Sequence, residues 1–119
     1  MDSKNLCGLS AGMAQAILGQ SAKNVTATGT SSQNAAYPLG VGITHFSTVA
    51  LNAGGRLPPM NGGERVVVFN SGANPLLVYP DFGAQINNLS ANASFSVAAG
   101  KGAIFEAIDA KLALAVLSA

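Results

Sequence analysis

Apolar residues in this chain come in short runs separated by turn formers. Residues 66–69 (Val-Val-Val-Phe) and 76–79 (Leu-Leu-Val-Tyr) flank a spacer of turn formers at 70–75. Four apolar residues in a row are too few for a helix, and β-branched and aromatic side chains suit a pleated, buried surface, so each run predicts a strand. Asn70, Gly72 and Asn74 tolerate positive φ, and Pro75 presets φ where the second strand must begin. The two runs therefore predict a β-hairpin with a loop longer than the tightest kind. Both faces of the first strand are apolar, Val66 and Val68 on one and Val67 and Phe69 on the other. That pattern predicts a strand covered on both sides, inside a sandwich and at a subunit interface.

The same rhythm runs from Ile43 to the end. Residues 44–51 are rich in strand formers, and 52–55 (Asn-Ala-Gly-Gly) predict a turn. Pro58-Pro59 cannot lie in a central ladder and marks an edge or a crossing. Residues 61–63, 80–83, 99–100 and 109–110 punctuate further short strands. Phe95 and Val97 alternate with Ser94 and Ser96. Phe105 faces one side, with Ile104, Glu106 and Ile108 on the other, and residues 112–117 are apolar on both faces. Turn signals every eight to twelve residues predict an all-β fold, an antiparallel β-sandwich or barrel-like domain spanning residues 43–119. No repeat of fixed period stands out.

The first 42 residues predict an N-terminal arm and polar linker. Leu6, Leu9, Met13, Ala16 and Ile17 recur at steps of three and four, the stripe of an amphipathic helix. Gly8 and Gly12 oppose it, each costing about 1 kcal/mol relative to Ala, so residues 1–20 are expected as a helical or extended arm. Residues 21–42 are small and polar and read as a linker, with a short strand near 24–28 as an alternative.

Charge changes the picture most. Only 9% of the 119 residues are charged, 49% are hydrophobic and the net charge is +1, against roughly 25% charged in an ordinary soluble domain. Mean hydropathy is +0.36. A monomer so poorly charged is expected to associate, because its apolar patches are hard to cover. Six scattered basic residues do not make a nucleic-acid footprint. Glu106, Asp109 and Lys111 interrupt the C-terminal apolar stretch far short of the ~20 residues of a membrane span. Asp2, Gly8, Ser10, Gly12 and Gln15 break any signal-peptide pattern, and the single Cys7 cannot close an internal disulfide. The expectation is synthesis and folding in a reducing cytoplasm.

One set of motifs resembles a known family. Asn70-x-Gly72, Leu77-Val78-Tyr79-Pro80-x-x-Gly83, Ile86-Asn87-x-Leu89, Asn92, Ser96-Val97, Gly100 and Phe105 resemble small virion proteins of tailed bacteriophages. These are usually capsid decoration (cement) proteins or head-fibre and tail-fibre modules. Residues 46–49 (Phe-Ser-Thr-Val) and 55–58 (Gly-Arg-Leu-Pro) are similar to the segment that leads into the motif. The resemblance covers residues 43–108 and implies a β-rich module, often trimeric, on the capsid exterior or within a fibre. The chain departs from the pattern after the last strand, where residues 109–119 are apolar and contain no Trp. Implied partners are sister copies and the major capsid protein. Leu6, Leu9, Met13, Ile17, Leu112, Leu114 and Val116 are the candidate contact residues. A fibre or tail module touching host carbohydrate is the alternative reading.

Catalytic constellations are thin. His45 is the single histidine, which rules out a histidine-rich metal site within one chain. The carboxylates Asp2, Glu64, Asp81, Glu106 and Asp109 show no pairing suited to acid–base work. Residues 99–102 (Ala-Gly-Lys-Gly) fail as a phosphate loop, because Phe95 stands where the first glycine belongs and Gly102 where Ser or Thr belongs. No enzyme activity, cofactor or metal site is expected, and the aromatics are spaced like a core.

Overall fold

The computed structural model describes residues 20–118. Ten strands are present among them: β1 (Gln20–Thr26), β2 (Tyr37–Pro38), β3 (Gly42–Thr48), β4 (Gly54–Arg56), β5 (Arg65–Asn70), β6 (Leu76–Tyr79), β7 (Gln85–Ile86), β8 (Phe95–Val97), β9 (Gly102–Asp109) and β10 (Leu112–Leu117). They form a six-stranded sheet, β1-β3-β5-β9-β10-β7, and a four-stranded sheet, β2-β4-β6-β8. The fold is all-β, as the turn spacing predicts. The helix expected over residues 1–20 falls on residues 1–19, outside the described residues, apart from Gln20, which opens β1.

Pairing departs from the antiparallel expectation. The chain alternates between the sheets from β1 to β9, so that β1, β3 and β5 stack in parallel in one sheet and β2, β4 and β6 in the other. Three coils of a flattened roll result. Tyr37 sits beside Gly55, 18 residues on, and Gly42 beside Val66, 24 residues on. Coils of such unequal length leave no fixed period in the sequence, although the backbone repeats. Apart from an isolated antiparallel bridge between Thr28 and Gly54, antiparallel pairing enters with the strands β8, β9 and β10. Strand β9 joins β5 to β10, and β8 closes against β6.

The hairpin expected between residues 66–69 and 76–79 is an arch instead: β5 and β6 lie in different sheets and do not pair. Asn70 holds the crossing. Its Nδ2 donates to the carbonyls of Asn74 and Val97, both at 2.9 Å, while its Oδ1 accepts the Gly72 N–H at 2.9 Å. Its backbone N–H donates to the Lys101 carbonyl, and its own carbonyl accepts from Gly100. A buried amide with every group satisfied can sit in an apolar interior at little cost. Turn formers serve a hairpin and an arch equally. The arch wins because it sets the inward Val66 and Val68 across the core from Leu76 and Val78.

The linker expected over residues 21–42 is part of the domain. It supplies β1 and β2, buries Ala27, Ala36 and Leu39, and packs Val25 and Tyr37 against the core. Most of its polar side chains are exposed, but Gln33 ties loops together. Gln33 Nε2 donates to the Pro80 carbonyl at 2.8 Å and to Asn92 Oδ1 at 3.1 Å. Arg56 donates to the Gln33 carbonyl at 3.0 Å and stacks 4.9 Å over the Phe82 ring.

Between the sheets lies one core. Phe46, Val66, Val68, Ile86 and Phe105 enter it from the large sheet, and Leu76, Val78 and Val97 from the small one, with Leu57 beside them. Phe105 meets Phe95 edge-to-face at 5.7 Å, and Phe46 meets Tyr37 likewise at 5.9 Å, the geometry ring quadrupoles favour.

Candidate functional site

The large sheet has a second face, and it is apolar. Cross-strand register places Ile43 beside Val67, Val67 beside Ile104, and Ile104 beside Val116. Because strand side chains alternate, these four point away from the core as Thr44, Val66, Ala103 and Ala115 point toward it. The result is a straight row of branched aliphatic side chains crossing β3, β5, β9 and β10. Ile43 is 46% exposed, Ile104 40% and Val116 66%.

Flanking rows complete the face. On one side Arg65, Glu106 and Leu114 lie in register, and Arg65 Nη2 stands 3.5 Å from Glu106 Oε1, both side chains open to solvent. On the other side come His45, Phe69 and Gly102. Gly102 makes room for the ring here, since a Cβ would stand 2.8 Å from the Phe69 ring and force it to shift. The Phe69 ring lies against this bare backbone and stays 47% exposed. An apolar hollow of about 210 Å³ is left among Val67, Phe69, Ile104, Val116 and Leu117.

Of the contact residues expected from sequence, Leu114 and Val116 lie on this face and are exposed. Leu112 lies at the start of β10, half-buried against a small cleft that Leu57 and Ala84 also line. Leu6, Leu9, Met13 and Ile17 fall outside the described residues. Ile43, Val67, Phe69 and Ile104 were not among the expected contacts. Their signal was present, as the apolar outer side of 66–69 and the position of Ile104 opposite Phe105. Assembling it into one row needs three strand registers that sequence does not show.

Among the described residues, His45 and Ser71 form a pair that invites a catalytic reading, with Nε2 and Oγ 2.9 Å apart. The Asn24 N–H donates to His45 Nδ1 at 3.4 Å. In the tautomer in which Nδ1 accepts from Asn24, Nε2 carries the proton and donates to Ser71 Oγ. That tautomer has no lone pair facing the hydroxyl to take its proton. The pair pins β1 and the arch to β3. Among the described residues no cluster of three or more His, Cys, Asp or Glu is placed to hold a metal, and no helix is long and apolar enough to cross a membrane.

Comparison with known proteins finds no family model, no curated protein and no solved structure that matches the chain.

Proposed function

We propose that the chain is a non-enzymatic structural subunit of a tailed-bacteriophage virion: a trimeric decoration (cement) protein that binds the major capsid protein on the capsid exterior and stabilises the assembled shell. The observation that carries its structural role is the uncovered aliphatic row of the large sheet, a surface built for protein contact and bare of chemistry. The virion assignment rests on the sequence motif at residues 43–108.

The residues of that motif support a scaffold role by what they do. Asn70 ties the arch, and Asn92 Oδ1 accepts the Gly83 N–H at 2.6 Å, fixing the turn after β6. Asn87 Oδ1 accepts the Ala115 N–H at 2.9 Å, fastening β7 to β10. These are groups that hold loops in place and keep a small roll rigid. A rigid module bound in many copies gains hold through geometry, since each attachment raises the effective concentration of the next.

Copy number in purified particles tests the reading. Decoration requires hundreds of copies per shell by quantitative gel or mass spectrometry. A few dozen or fewer would instead assign the chain to a fibre or tail part, and absence from the particle would remove it from the virion altogether.

A further inference from the structure

We infer that the row Ile43, Val67, Ile104 and Val116 is where copies of this chain meet, so that the outer face of the large sheet becomes an inner surface of the oligomer. The inference deepens the proposed reading by naming the face, and rests on its self-association part alone.

Three observations select a second copy as the occupant. The first is charge. The face carries Arg65 and Glu106, which neutralise one another across 3.5 Å, within a chain of net charge +1. A face without net sign can meet itself without like-charge repulsion, and it offers a strongly acidic or basic partner nothing to read. The second is shape. An aliphatic row edged by a hollow of about 210 Å³ accepts aliphatic side chains, and the most exposed member of the row is Val116, which also lines the hollow. The third is area. Four strands at ~4.8 Å spacing by three residue rows at ~6.7 Å give a footprint of about 400 Å². That is about half of the ~800 Å² a standard interface covers on each partner. The footprint counts the flanking rows of Arg65, Glu106 and His45 together with the aliphatic row, so the contact between copies extends beyond these three rows.

Sedimentation velocity of the full-length chain at tens of micromolar tests this, with far-UV circular dichroism as the check on folding. Wild type is expected to sediment as an oligomer. Ile104→Glu is expected to sediment as a monomer with an unchanged spectrum. Should the glutamate prevent folding, the double variant Val67→Thr/Ile104→Thr keeps two β-branched side chains in the strands and puts hydroxyls at the centre of the contact. It is expected to associate about 30-fold more weakly or worse. Deleting residues 1–19 is expected to leave the oligomer intact. A monomeric wild type overturns the inference together with the self-association it rests on. A folded double-threonine variant that associates like wild type overturns the inference alone. A deletion variant that becomes monomeric also overturns it, giving the contact to residues 1–19.

Discussion

Strand β5 has two sides made of nearly the same residues with opposite fates. Val66 and Val68 face the small sheet and are wholly buried, whereas Phe69 on the other side is half exposed and Val67 only partly covered. The same holds along β9, where Phe105 is enclosed and Ile104 is open. A strand that needed only one covered face would alternate apolar with polar. Here the inner side is finished by the chain's own fold, and the outer side has the composition of an interior without the cover. Burial, together with Arg65 and Glu106 at the margin of the outer side, separates the faces, so the two must respond differently to the same substitution.

The largest difference is expected on the inner side. Phe105→Ala removes a fully buried ring and its edge-to-face partner Phe95, and is expected to destabilise the fold by about 4 kcal/mol in a urea titration. Next comes the polar knot at the end of β5. Asn70→Ala strands the carbonyls of Asn74 and Val97 and the Gly72 N–H, with an expected loss of about 3 kcal/mol in the same assay. A loss under 1 kcal/mol would show that the arch does not depend on this side chain.

Outer-face substitution sharpens the comparison. Phe69→Ala is expected to lower the stability of the isolated subunit by less than about 1 kcal/mol while visibly weakening association in sedimentation. A loss as large as that of Phe105→Ala would erase the distinction between the faces. Smaller still is an alkaline effect in the small sheet. Burial pushes the Tyr79 hydroxyl above its ordinary 10.0. The unfolded chain then releases this proton first, and stability falls as pH rises past 10 toward the higher folded-state value. An absorbance titration of tyrosinate should show one group ionising late. Smallest is Arg65→Ala. Its exposed pairing with Glu106 is worth no more than about 0.5 kcal/mol, so the thermal midpoint is expected to stay nearly unchanged.

What sequence revealed depended on distance along the chain. Alternation and turn residues marked most strands from 43 onward, because both are local. The arch at 70–75 reads as a hairpin because Asn, Gly and Pro satisfy the backbone in either case. Which one forms is decided by what β5 and β6 bury against each other across the core. Residues 21–42 look like a linker by composition, yet β1 gains its place by parallel pairing with β3, and the chain just after it buries Ala27. The row from Ile43 to Val116 was half legible: each member is visibly apolar, but which side faces out and adjacency across four strands are properties of register.

The outer face is the centre of the account, and the mass of the intact wild-type chain in solution tests it most directly. Light scattering coupled to size exclusion at micromolar concentration is predicted to give a multiple of the chain mass, three-fold for the trimer proposed here. A single-chain mass that persists as the concentration is raised would mean the aliphatic row stays open to water, and the account would be wrong.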